Sequence, residues 1–362
     1  MKALAAGLAL AAVAAALLVP PGPRVVSAGI EARDNDYIHD LIIDGHREKT
    51  EVRQGLPAWN QPFCGFTRGN GIVVNGRKHV TIRNVTLRNI AGFAILVARS
   101  QDTTIDHVRI EDSGSRDAAG NDNTTGGILI EEGTTDFRVT NCELRRIRGN
   151  GIWTHSLYTS PRNARGLFAG NRFENIGRDA LQVGHATEVR VADNSGVRIG
   201  YPRGNVEPVA VDTAGNVDRS TYAGNLFRDV NGKCIDLDGF HDGEVRGNTC
   251  VGVNGYGIVM NNSNPDMQSR NVRIVDNTID GAAFGGVFVI GDHNFVSGNK
   301  LLNLNRQHQG DPLLHSGIYL GERAERPAPA RDNIIERNEI SGAAVCVGGA
   351  VERNTVRGNW CR

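Results

Sequence analysis

The sequence predicts an all-β solenoid of about 10–12 turns, in which every turn adds one short strand to each of several parallel sheets. Three observations predict it. The 45 glycines are spread along all 362 residues rather than gathered in a linker, as many turns between many short strands require. A polar residue, usually Asn, recurs three residues after an apolar one, from Phe168 and Asn171 through Val191 and Asn194, Tyr222 and Asn225, Val245 and Asn248, Ile274 and Asn277, Val296 and Asn299, and Ile335 and Asn338 to Val351 and Asn354. Short segments such as Gly127-Ile128-Leu129-Ile130, Gly151-Ile152-Trp153-Thr154 and Gly257-Ile258-Val259-Met260 alternate in character, as half-buried strands do.

The spacing of the Asn positions sets the repeat. From Asn171 onward the steps are 23, 31, 23, 29, 22, 39 and 16, a basal turn of 22–23 residues with insertions and a short last step. Several strands in so few residues leave no room for the two-residue turns of hairpins, so equivalent strands of successive turns stack in parallel. Asn at a repeated corner can bond along the column and tolerate a left-handed backbone. Val85, Val108 and Cys142 hold the same register ahead of Asn171, so the ladder is expected only in the later turns.

The N-terminus reads differently. Lys2, the apolar run Leu4–Val19 and the small residues Val26-Ser27-Ala28 form a secretory signal, and Pro20-Pro21-Gly22-Pro23 interrupts the run before it could span a membrane. Residues 1–28 are therefore expected to be removed, leaving one domain over 29–362, exported, monomeric and without a membrane span. Six cysteines fit an oxidising compartment, with Cys346 and Cys361 the first pair to expect; no C-x-x-C spacing suggests a metal, and none is expected. Forty basic and 40 acidic residues give a formal charge of zero, which removes the electrostatic footprint of a nucleic-acid or anionic-membrane binder.

With these repeats the chain resembles, over residues 38–362, the right-handed parallel β-helix proteins of the pectate lyase superfold. That resemblance implies a right-handed coil and a polysaccharide or oligosaccharide partner. It leaves the chemistry open, because the fold hosts lyases, hydrolases, epimerases, transferases and non-catalytic adhesins.

Aligning the alternating strand of successive turns gives inward pairs Ile128/Ile130, Ile152/Thr154, Leu181/Val183, Val209/Val211, Ile235/Leu237, Ile258/Met260, Val287/Val289 and Ile318/Leu320. The outward column after each pair holds Glu131, His155, Gly184, Asp212, Asp238 and Asn261 in order, and the column within each pair holds Leu129, Trp153, Gln182, Ala210, Asp236, Val259, Phe288 and Tyr319. Strands of one parallel sheet lie about 4.8 Å apart, which would set the carboxylates of Asp212 and Asp238 side by side. Asp212 and Asp238, with Asp236 and His155, are accordingly the candidate catalytic residues. Trp153, Gln182, His185, Glu131, Asn261, His241, Phe288 and Tyr319 are the candidate substrate contacts. Insertions at 112–125, 156–165, 197–208, 262–271, 305–315 and 322–332 fall at corners and are expected to wall a groove.

A carboxylate pair suits hydrolysis or transfer at a glycosidic bond, without cofactor. The alternative is a lyase or epimerase in which Asp212, Asp236 and Asp238 hold Ca²⁺ and Lys233, Arg178 or Arg203 acts as base. Asp238-Gly239-Phe240-His241-Asp242 resembles the Asp-Pro-His-Asp motif of alginate epimerases, departing from it in the missing proline and the extra residue before His241. A third reading is a non-catalytic glycan-binding or surface protein. The irregular residues 46–70, or a partner, are expected to cover the N-terminal end of the coil.

Overall fold

The structure, a computed structural model, describes residues 24–51, 55–58, 60–122, 125–201, 207–263, 267, 269–321 and 328–362. The signal segment up to residue 23, and Arg203, lie outside the described residues. The first strand, Arg24–Ser27, pairs in parallel with Leu41–Asp44, so the coil starts ahead of the domain boundary expected at residue 29.

Each turn passes through three parallel sheets, as in Arg109–Glu111, Ile128–Glu131 and Thr135–Thr140, followed one turn later by Glu143–Ile147, Ile152–His155 and Asn163–Ala169. The first sheet contains 13 strands and bounds a dozen turns, at the upper end of the expected number. The second and third sheets run into one another where a strand bends through the corner without a break, as in Val209–Asp218 and Lys233–His241. Inward side chains of all three sheets form one apolar column, in which Ile128, Ile152, Leu181, Ile235, Ile258 and Ile318 are buried. The glycines that open the second-sheet strands have a packing reason: a Cβ on Gly127 would lie 1.7 Å from the carbonyl oxygen of Gly151 in the next turn.

The Asn ladder lies between the third and first sheets. The Asn171 side-chain amide donates to Oδ1 of Asn194 (2.9 Å) and to the Val139 carbonyl (2.9 Å), while the Asn171 backbone N–H donates to the same Oδ1 (3.0 Å). The pattern repeats through Asn225, Asn248, Asn277, Asn299 and Asn338, so a column of buried amides is fully hydrogen-bonded. Two expectations are corrected. The last rung is Asn359, which accepts from the Asn338 amide at 2.8 Å; Asn354 belongs to a second column, between the second and third sheets, with Asn294 and Asn333. The final step is therefore 21 residues, near the basal repeat. The left-handed backbone also falls one residue earlier, on Gly170, Asp193, Gly224, Gly247, Asp276, Gly298, Arg337 and Gly358, leaving the Asn side chains to point inward.

Cys346 pairs with Cys361, as expected, and Cys234 pairs with Cys250 inside the core. Cys142 heads the ladder, and burial pushes its thiol up to about 12, which keeps it protonated and inert.

The expected insertions have a simple placement. Those at 112–125, 197–208 and 305–315 join the first sheet to the second, while those at 156–165, 262–271 and 322–332 join the second to the third. The insertions thus leave from both edges of the second sheet, with its outward side chains as the floor between them. The described residues of 46–70 sit on this flank rather than over the end of the coil: Phe63 packs on Phe93 and Trp153, outside the main core. No helix among the described residues is long and apolar enough to cross a membrane.

Candidate functional site

The floor is decided by strand register. Ile128 pairs with Ile152, Ile152 with Leu181, Leu181 with Val211, and Val211 with Ile235. The inward pair of the fourth of these turns is therefore Val211/Thr213, not Val209/Val211. Because side chains alternate with period two, a slip of two residues keeps Asp212 facing outward and moves it one column across. It now stands opposite Gln182 and, through the Val211–Ile235 and Ala214–Asp238 pairs, beside Asp236. The adjacent carboxylates are Asp212 and Asp236, and the expected Asp212–Asp238 pair is corrected. Thr213 misled the alignment because it is a polar residue buried inside the coil, where its hydroxyl bonds that of Tyr222 at 2.7 Å.

A polar network runs through four turns of this column. Asn150 donates its amide to Oε1 of Gln182 (2.7 Å), which fixes the amide so that Nε2 donates to Oδ2 of Asp212 (2.6 Å). In the next turn Lys233 Nζ donates to Oδ2 of Asp236 (2.8 Å) and lies 3.2 Å from Glu207. Asp236 Oδ1 is buried without a hydrogen-bond partner among the described residues. Asp179, absent from the sequence reading, accepts the Val209 N–H at 2.8 Å on the rim of the same cluster. The signal that could have found it is its place two residues before an inward pair, where Asn150 stands one turn earlier.

Electrostatics separate these acids. Burial, reinforced by repulsion from Asp179 and Asp236, holds the Asp212 carboxyl well above its ordinary range. Burial raises Asp179 to about 6, against the pull of Arg178. Burial also raises Asp236, but the Lys233 ammonium opposes it directly. Lys233 is itself desolvated, yet Asp236 and Glu207 hold it above the usual lysine range, so it stays protonated. Asp212, raised by burial and two acids, thus stands beside Asp236, where an ammonium opposes the rise.

The remaining predicted residues divide into groups. Asp238 is half-buried one column away, opposite Asn261, and accepts the Ser263 N–H (2.6 Å) and hydroxyl. His241 lies beyond the bend at Gly239, on the third sheet beside Asp242, so the Asp238–Asp242 segment does not present its acids and imidazole together. Phe288 and Tyr319 continue the Asp236 column beyond Val259, with ring centroids 6.0 Å apart; Phe288 is buried and Tyr319 half-buried.

Glu131, Trp153 and His185 are corrected as open substrate contacts, and His155, expected to be catalytic, lies in the same covered cluster. Glu131 is fully buried and its carboxylate accepts the backbone N–H groups of Phe63 and Cys64, latching the N-terminal segment to the flank. Trp153 is buried beneath Phe63, and His155 packs edge-on against that same ring, 3.6 Å from Glu131. His185 is buried under Tyr158, with Nε2 3.2 Å from the Ser160 carbonyl oxygen. Sequence alternation showed these side chains facing out of the coil but not that a distant segment covers them.

Metal-ligating atoms of Glu131, Glu132 and His155 lie within 4.8 Å of one another; Asp212, Asp236 and Asp238, the residues expected to hold Ca²⁺, are not such a group among the described residues. The Glu131 and Glu132 oxygens already accept from Phe63, Cys64, Leu157 and Ser160.

A family model described as right handed beta helix region matches residues 63–201 and 209–362, and the chain belongs to that family. Solved structures share the coil. A GH136 lacto-N-biosidase from Eubacterium ramulus is 14% identical with a TM-score of 0.53, covering 87% of this chain and 61% of its own. An alginate lyase solved in complex with G6 is 14% identical with a TM-score of 0.52, covering 85% of this chain and 66% of its own. PfbA, a surface adhesin of Streptococcus pneumoniae, is 17% identical with a TM-score of 0.51, covering 76% of this chain and 70% of its own. This chain thus spans about three fifths of the lacto-N-biosidase, and at such identities the likeness is one of fold. Among curated proteins none matches the sequence.

Proposed function

We propose that this protein cleaves or transfers glycosidic bonds of a polysaccharide laid along the second sheet, with Asp212 as general acid and Asp236 as its ionised partner. The observation that carries the reading is their adjacency in one outward column under opposite influences: Asp212 is raised by burial and two acids against the Gln182 amide, while Asp236 has an ammonium beside it. A protonated carboxyl near a carboxylate is what glycosidic cleavage requires, since one group protonates the leaving oxygen while the other meets the oxocarbenium-like centre or its water. Asp179 adds negative charge that keeps the proton on Asp212.

The lyase alternative receives less support. It needs a base, and the ion pairs of Lys233 oppose its loss of a proton. Export is part of the proposal and is supported by the two disulfides, which persist in oxidising compartments.

Asp212→Asn and Asp236→Asn should each reduce turnover at least about 100-fold on whichever polysaccharide in a panel of neutral and acidic polymers is cleaved. Asp238→Asn should cost much less. Wild-type turnover in both Asp212→Asn and Asp236→Asn would overturn the assignment, and a chelator-sensitive reaction yielding an unsaturated, ultraviolet-absorbing product would replace it with the lyase.

A further inference from the structure

A second feature lies at the corner where the first sheet leads into the second. A hollow of about 430 Å³ there is lined by Arg116, Arg146, Arg148 and Arg198, with Asp122 and Tyr201. The arginines come from two turns, with Asn175 from the turn between them, and from the 112–125 insertion, so the coil brings together charges that lie up to 82 positions apart in sequence. Arg146 and Arg198 occupy a left-handed corner position that Asn89, Asp112, Asn175, Asp229 and Gly252 hold in neighbouring turns. Arginine bears that backbone less easily than Asn, Asp or Gly. Its presence twice around the hollow therefore asks for a reason beyond the turn.

Each lining guanidinium has an acid within 4.0 Å, but these pairs use only some of its N–H groups among the described residues. Arg146 is bound by Asp112 through two nitrogens at 2.8 Å, whereas Arg198 donates Nε to the neutral amide oxygen of Asn175 at 2.7 Å and has its Nη1 3.9 Å from Asp229. Arg116 meets Asp122 through Nε at 3.3 Å. Arg148 donates Nη1 to Glu51 at 2.6 Å, and its Nη1 also converges with that of Arg47 on one acceptor, the Gly114 carbonyl oxygen, at 3.5 and 3.4 Å. Two guanidiniums sharing one carbonyl is a like-charge crowding that an anion would relieve. Burial and the proximity of Arg148 hold the Arg47 guanidinium below its usual value, consistent with that crowding. Planar forks with unused N–H groups, arranged around a concavity, suit carboxylate or sulfate oxygens.

We infer that this hollow binds an anionic group of a glycan, so that the polysaccharide handled by this coil carries carboxylates or sulfates. The chain-wide charge of zero conceals the site, because acids of other faces balance it. Anion binding by the hollow stands on its own; that the anion belongs to the polymer being cleaved rests on the function proposed above.

The test uses the full chain and isothermal titration with three probes: an oligogalacturonate, a neutral cello-oligosaccharide of equal length, and sodium sulfate. The oligogalacturonate should bind, weaken as salt is raised, and lose at least tenfold in affinity in Arg116→Gln/Arg198→Gln. Arg198→Gln alone, at a half-exposed side chain, should lose severalfold and protects the test if the double variant does not fold. Unchanged affinity in these variants overturns the inference. Tighter binding of the neutral oligosaccharide, or sulfate binding as tight as the oligogalacturonate, also overturns it, the latter by making the hollow a site for free anions. Asp212→Asn should keep oligogalacturonate affinity: lost turnover with retained binding, set against arginine variants that still bind normally, would reject the hollow and leave the catalytic assignment standing.

Discussion

Asp212 illustrates how much one residue's environment decides. Its proton is retained because burial and two neighbouring acids disfavour the charge, so activity should fall as pH rises through its elevated value. On the acid side, activity should fall as Asp236 takes up a proton, and the pH profile of kcat/KM should therefore be bell-shaped. Asp179→Asn removes one of the repelling charges and should move the alkaline limb to lower pH; a limb that stays in place would show that Asp179 does not act on Asp212. The same residue sets a stability signature. With Asp179 raised from 3.8 to about 6 in the folded protein, its contribution to stability is fully present below pH 3.8 and is lost as pH rises through about 6. Melting temperatures across that window should decline, and Asp179→Asn should flatten the decline. Which acid stands beside which could not be read from the chain, because Thr213 is inward and polar while Val209 offers an apolar substitute two residues away.

At the scale of elements, the Asn ladder and the flank latch hold different things. Asn248→Ala would leave the Asn225 backbone N–H without its acceptor and the Tyr222 carbonyl without the amide, and would take one of two acceptors from the Asn225 amide and one of two donors from Asn277 Oδ1. At about 1–3 kcal/mol for a buried polar group left unsatisfied, the substitution should cost several kcal/mol in urea unfolding. Asn359→Ala, at the half-buried last rung, should cost clearly less, and equal costs would contradict the ladder's role in the core. Phe63→Ala should cost about 3 kcal/mol by emptying the space between Phe93 and Trp153. Its effect should appear as faster hydrogen exchange in residues 55–70, with the coil unaffected. The ladder was legible because its period is local; the latch was not, since Phe63 and Glu131 meet only after three turns have stacked.

For the molecule as a whole, a solenoid's stability is shared between nearest-neighbour turns, so its ends are its weak points. The final turn exposes Val345 and Trp360, and the Cys346–Cys361 bridge ties the two strands of that turn together. Cys346→Ser/Cys361→Ser should lower stability by up to about 3 kcal/mol for a loop of this length, with hydrogen exchange rising in residues 339–362 before the rest of the coil. A uniform rise would show that the coil melts as one unit.

The sequence by itself determined the coil, its repeat, the inward stripe and the corners at which the insertions leave, because each is a periodic demand that burial makes on neighbouring residues. It also marked out Asp212 and Asp236 as outward acids. Only the tertiary structure decided that they are partners, that Asp179 and Lys233 divide their charge states, that Trp153 and Glu131 are covered, and that arginines of separate turns share a hollow. The physical reason is register: alternation fixes the face a side chain takes, but its neighbour across the sheet depends on how much chain each insertion consumes, and loop composition does not encode that length.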